Sequence, residues 1–268
     1  MTIELVEVAN LYGGGIFYAA EHIATVLHAY PAWAANLTEQ TSTSVAILRL
    51  PPAPELPEPI RGETVAHLRV CHVGDSTDGE RLVAPMRAVT PALVDHVTDM
   101  AYTAVDSIHN DPDHPVPFRD RGTLLRAVTD DTIDALLAVA GADVHVPLMV
   151  CELRQMGGAL RRGPVAGNAV GGRDAAYSLF TIGLLTPETA EVTPAAVDAV
   201  IAAVEPWSTG HTLVNLHGPV GDETDRARAW DAPTYRRLAD LARRLDPTGL
   251  LHHGHVIGHG PFPAPAPA

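Results

Sequence analysis

The chain has 268 residues with 32 acidic side chains against 18 basic ones, a formal charge of −14 that argues against a nucleic-acid partner. Every basic residue is arginine and none is lysine, which excludes Schiff-base chemistry, a pyridoxal phosphate anchor and a P-loop lysine on residue type alone. The length is enough for one large domain or two small ones with a sizeable core.

In chain order, Leu11 to Tyr18 reads as a strand. Its Gly13 to Gly15 cluster lies within an apolar run and away from any strand-to-helix turn, so it reads as a bulge or close-packing device and not as a dinucleotide fingerprint. Ile23, Val26, Leu27, Tyr30 and Trp33 recur at helical spacing, with a kink expected at Pro31. Ser44 to Leu50 and Val65 to Val73 read as strands joined by the stiff connector PPAPELPEP. Glu80 to Ala88 reads as a helix and Leu93 to Thr98 as a strand, which completes a strand, helix, strand, strand, helix, strand order of ferredoxin-like type.

The second half repeats the rhythm. Ile133, Leu136, Leu137 and Ala140 mark a helix, Val146 to Leu153 and Leu179 to Leu185 are strands, and Thr193 with Pro194 starts a helix bearing Val197, Val200, Ile201 and Val204. Thr212 to Leu216 reads as a strand, and a last helix with Tyr235, Leu238, Leu241, Ala242 and Leu245 inward stops at Pro247. The fold class is α+β: one large, mainly antiparallel sheet with helices covering one face.

Three segments carry a resemblance: CELRQMGGALRRGPVAGNAVGGRDAAYSLF (Cys151 to Phe180), YRRLADLARRLDPTGLLHHGHVI (Tyr235 to Ile257) and YGGGIFYAAEHIATVLHAYPAW (Tyr12 to Trp33). Together they resemble the substrate-binding and C-terminal region of FAD-linked oxidases of the berberine bridge enzyme type. The resemblance implies a substrate-binding domain over residues 1–230 and a closing helix and tail over 231–259, while the low-complexity composition of the end predicts a disordered tail over 260–268. It also implies a bare sheet face turned toward a flavin. The RSGGH-like loop and G-x-C motif by which family members hold FAD do not occur in the sequence. No cofactor is therefore expected on this chain alone, with FAD only where a partner supplies its domain. Two further departures concern chemistry. Gly183 falls near the position of the general-base Glu of plant members, and Gly249 and Leu250 stand where the DP-x-N-x-F tail has Asn and Phe.

Strand alternation then assigns faces. Phe180, Ile182 and Leu184 form an apolar set suited to packing under helices, which leaves Thr181 and Gly183 for the pocket. His211, Leu213, Asn215 and His217 share the more polar side of their strand, also assigned to the pocket. Glu152 and Arg154 end a row begun by Val146, Leu148 and Val150, and are either a structural ion pair or a proton-transfer and substrate-anchoring pair. The candidate proton acceptors are Tyr177, Glu152 and His211. The candidate substrate-binding residues are Arg154, Thr181, Gly183 and Asn215.

No metal site is assigned. His252, His253, His255 and His259 fall in the polar, Gly-rich tail, and His109, Asp111, Asp113 and His114 in an acidic, Pro-containing turn. There is no G-x-S-x-G elbow, so Ser208 in PWSTG is not a hydrolase nucleophile. Cys71 and Cys151 read as buried free thiols, and no apolar run or basic leader marks a membrane span or signal peptide, so a cytoplasmic protein is expected. Two functions remain. One is the substrate-binding part of an FAD-linked oxidoreductase, truncated or paired with a flavin domain on another chain. The other is a cofactor-independent isomerase, cyclase, dehydratase or binding protein of secondary metabolism. A small molecule is the expected ligand, and a homodimer or a separate flavin-binding chain is the expected assembly, because a bare apolar face is poorly tolerated in a monomer.

Overall fold

In a computed structural model, the structure describes residues 5–111, 115–165, 167–251, 255 and 257. The first half contains β1 (Asn10–Tyr18), α1 (Ile23–Ala34), β2 (Thr41–Arg49), β3 (Thr64–His72), α2 (Ser76–Arg87), β4 (Val94–Asp95) and β5 (Thr98–Ala101). The second half contains β6 (Phe118–Leu125), α3 (Asp130–Ala140), β7 (Leu148–Gln155), β8 (Tyr177–Leu184), α4 (Thr193–Ala203), α5 (Glu223–Ala227) and α6 (Ala232–Leu245). All eight strands join one sheet in the order β4, β1, β3, β2, β7, β8, β6, with β5 also on β1. Every pairing is antiparallel. The α+β class and the ferredoxin-like order of the first half therefore stand, and β2 extends that unit by pairing with β7.

Local chemistry sets the helix starts. Asp75 accepts from the Thr77 amide ahead of α2, Thr129 and Thr132 form a reciprocal capping box at α3, and Asp231 accepts from the Thr234 amide at α6. Arg49 Nη2 donates to the carbonyls of Ala140, Gly141 and Val144, closing the end of α3. Helix α1 continues through Pro31 to Ala34, with the Ala35 amide bonded to the Pro31 carbonyl.

The core lies between one face of the sheet and α1 to α4. Ile16, Val45, Leu68, Leu153 and Leu179 supply its floor, and Val26, Val83, Ile133 and Val197 its cover. Burying such side chains stabilises the fold by roughly 1.5–3 kcal/mol each. Gly14, at φ 141°, sits under the His96 carbonyl, which a Cβ would meet at 2.3 Å. That close approach splits the expected Leu93 to Thr98 strand into β4 and β5 on either side of His96 and Val97.

Several sequence expectations are corrected. The edge strand β6 was not anticipated, because FRDRGTLL opens with alternating charges. The segment 212–216 is not a strand: Val214–Leu216 is a single 3-10 turn whose Leu216 carbonyl lies over Gly122 of β6, and the backbone bonds to β6 come from Thr209 and His211 just before it. A bulge between Leu148 and Val150 breaks the row assumed for β7, sending Leu148 to the helices while Val150, Glu152 and Arg154 face away. In α6 only Ala239 is fully buried, while Leu241 and Leu245 are 40% and 71% exposed.

Candidate active site

The faces of β8 are the reverse of the sequence assignment. Tyr177, Leu179, Thr181 and Gly183 point toward the helices. Thr181 is fully buried and bonds the Val150 carbonyl, and a Cβ on Gly183 would meet Thr193 Cγ2 at 2.5 Å and the Pro147 carbonyl at 2.7 Å. The small side chains that looked like a pocket floor are what let α4 approach the sheet. Tyr177 packs against Tyr30 beneath α1, where burial raises its pKa and keeps the phenol neutral. His211 and Asn215 lie beyond β6 at the sheet edge. His211 Nδ1 is 3.1 Å from the Arg228 carbonyl, and Asn215 is exposed in the 3-10 turn. Of the seven candidates, only Glu152 and Arg154 share the face turned away from the helices.

That second face is covered in part, since Ile60 packs with Ala46, Leu48 and Val65, Ile108 lies over Gly13, and the Leu216 carbonyl lies over Gly122. Its open part surrounds Arg154, Phe180 and Ile182, and the face is built in rows. Across β1, β3, β2, β7 and β8, one row reads Phe17, His67, Ala46, Glu152, Phe180, and the next reads Gly15, Arg69, Ser44, Arg154, Ser178. Glu152 is the centre. Its Oε2 is 3.0 Å from Arg69 Nη1, and its Oε1 accepts from Nε and Nη2 of Arg154, both at 3.0 Å. The side chains of Glu152 and Arg69 are 5% and 6% exposed, whereas that of Arg154 is 42% exposed. Burial pushes the Glu152 carboxyl up, but the Arg69 and Arg154 guanidiniums and the Ser44 hydroxyl outweigh it and hold it below the usual range. Glu152 is thus a fixed anion that organises two cations, and a weak base.

Two histidines flank the pair. His67 stacks on Phe17 with centroids 3.9 Å apart, and its Nδ1 accepts from Arg69 Nε at 3.2 Å. Burial, then the Arg69 charge, holds its pKa well below the ordinary value, so the ring is neutral and its proton sits on Nε2. That Nε2 has no hydrogen-bond partner among the described residues and packs over Gly15. His109 is half-buried, with its Nε2 3.5 Å from Arg154 Nη2, and burial followed by Arg69 lowers its pKa as well. Arg69 and His67 were missed by sequence reasoning, and His109, read there as part of a solvated turn, is half-buried beside Arg154. For β3 the signal was present: His67, Arg69 and Cys71 alternate with Ala66, Leu68 and Val70. Nothing local in the sequence brings His109 to β7.

Among the described residues no three His, Cys, Asp or Glu side chains are grouped to hold a metal ion, and no helix is long and apolar enough to cross a membrane. His252, His253, His259, Asp113, His114 and the tail over 260–268 lie outside the described residues.

Solved structures with the same arrangement decide the fold. The chain superposes on berberine bridge enzyme from Eschscholzia californica with a TM-score of 0.71 and 13% identity, over 97% of this chain and 58% of that one. The chain shares the fold of part of berberine bridge enzyme. A TM-score of 0.71 with 16% identity also relates it to 6-hydroxy-D-nicotine oxidase from Arthrobacter nicotinovorans, over 93% of this chain and 55% of that one. Xylooligosaccharide oxidase from Myceliophthora thermophila, in complex with xylobiose, matches at 0.66 with 15% identity, over 95% and 56%. The chain spans little more than half the length of these berberine bridge enzyme-like structures. No protein-family model and no curated protein sequence matches it.

The likeness raises the question of FAD, whose pyrophosphate is ordinarily cradled by backbone amides at a glycine-rich strand-to-helix turn. Gly13, Gly14 and Gly15 do not fit that role. They lie in mid-strand opposite Cys71, Val70 and Arg69, and the space above them is filled by the Val70 and His96 carbonyls and the His67 ring.

Proposed function

We propose that this chain forms the substrate-binding wall of an FAD-linked oxidoreductase of the berberine bridge enzyme type, with the flavin held outside the residues described. The observation that carries the reading is the open sheet face. In a fold otherwise packed by four helices, it holds a buried Arg69, Glu152, Arg154 cluster that ends in a half-exposed guanidinium. A buried ion pair adds little stability over apolar packing of the same volume, so its presence on the side away from the helices, ending in the 42% exposed Arg154, supports a binding role. Glu152 positions Arg154, Arg69 neutralises Glu152, and Arg154 meets the substrate. A second reading, catalysis without flavin, draws support from the same cluster because this chain alone supplies all of it.

The visible spectrum of purified protein titrated with FAD tests the proposal. No stoichiometric complex is expected from this chain by itself, and oxygen consumption with substrate is expected only after a flavin-binding polypeptide is added. A stoichiometric yellow complex of this chain alone would overturn the assignment of the flavin to residues outside it.

A further inference from the structure

The hydrogen bonds of Arg154 are unevenly spent. Nε and one Nη2 proton go to Glu152 Oε1, and the other Nη2 proton points toward His109 at 3.5 Å. Nη1 has no partner among the described residues, so a planar donor pair is held in fixed orientation at the surface of the open face. The floor around it is low, because its neighbours in the row are Ser44 and Ser178. Alongside lies apolar surface: Phe180, Ile182 and Val150 are all half-buried, with Ile182 directly opposite Val150. Successive residues on one face of a strand are about 7 Å apart, so Phe180 and Ile182 lie one and two such steps along β8 from the row of Arg154. At the far end, Asp120 of β6 pairs with Ile182, and burial raises its carboxyl pKa against the opposing charges of Arg119 and His217.

We propose that the open face binds a small acid with an apolar or aromatic body, its carboxylate on Arg154 Nη1 and its body lying over Phe180 and Ile182. The proposal rests on the substrate-wall reading and narrows it to a substrate class. Charge-assisted hydrogen bonds to a guanidinium favour the anion over a neutral analogue of the same shape by about 10-fold or more.

Benzoate and benzyl alcohol, titrated separately into the full chain and followed by backbone-amide NMR, test it. Benzoate is expected to shift amides of β7 and β8 and to bind about 10-fold or more tightly than benzyl alcohol. Arg154→Gln is expected to abolish that preference and Arg154→Lys to retain part of it. Equal affinity for the two probes, absence of β7 and β8 shifts with benzoate, or an unchanged preference in Arg154→Gln would each overturn the proposal. If Arg154→Gln fails to fold, the wild-type comparison and Arg154→Lys decide. Equal binding of both probes on β7 and β8 would remove the acid while leaving the wall reading intact, since that reading fails only on the FAD titration.

Discussion

The two faces of one sheet obey different rules. Under the helices, Ile16, Leu68 and Leu179 are fully buried among apolar neighbours, and Gly183 and Thr181 are small because α4 lies on them. On the other side, strands of the same composition present Arg69, Glu152, His67 and Arg154 beside Gly15 and Ser44. Packing explains the first set completely. In the second, Glu152 and Arg69 satisfy one another, and the arrangement leaves a donor edge and an imidazole nitrogen without partners among the described residues, which packing does not require. The contrast separates residues chosen to close a core from residues positioned to meet something else.

The sharpest way to break that contrast is Glu152→Gln. It leaves Arg69 buried without its counter-charge, and a loss of about 3–5 kcal/mol is expected in urea unfolding. A change below 1 kcal/mol would mean that Arg69 finds water or another partner. Gly183→Ala tests the covered face. The added methyl would meet the Pro147 carbonyl and Thr193, so a loss of about 1–3 kcal/mol is expected with no effect on benzoate binding. A binding defect with unchanged stability would restore Gly183 to the pocket.

Acid sharpens the comparison further. His67 is buried neutral with a depressed pKa, so its contribution to stability is complete above the unfolded value of 6.5 and is lost as pH falls toward the folded value. Stability should decline below about pH 6.5, by up to about 1.4 kcal/mol per pH unit for each such imidazole. His109 and His217, also depressed, add to this limb. Glu152, held below the usual carboxylate range by Arg69 and Arg154 against the effect of burial, adds a second limb at lower pH. His67→Gln should flatten the first limb, and an unchanged slope between pH 6.5 and 5 in that variant would assign the limb to the other histidines. The smallest effect is expected at the outer edge of the open face. Phe118 is 49% exposed on β6, and Phe118→Ser should alter stability by no more than about 0.5 kcal/mol. A larger loss would show that the edge is packed in solution.

Much of this fold was legible from periodicity. Helical spacing marked α1, α3 and α4, Thr193 with Pro194 marked the start of α4, and the strand order of the first half followed. Strands whose apolar pattern is interrupted were not legible. Phe118–Leu125 carries charges because it is an edge strand flanked by α4 and the chain that follows it, with Arg121 within ion-pair distance of Asp198 and Asp225. The run 212–216 has the alternation of a strand but no free edge to join, since Leu124 already bonds to His211 and Thr209.

The candidate site was half legible. Glu152 and Arg154 stand in sequence as a charged pair ending an apolar row, and their pairing follows from their spacing on one strand. Their partner Arg69 lies on β3, separated from β7 by β2, and its place beside Glu152 depends on the sheet order. By itself, the sequence determined the class of fold, most of its elements and the exclusion of lysine chemistry, because these depend on residue type and local period. Which side of each strand faces solvent was decided only by tertiary structure. Alternation defines two faces without naming either, and it took the approach of α4 to β8, together with the bulge at Leu148, to set which one stays open.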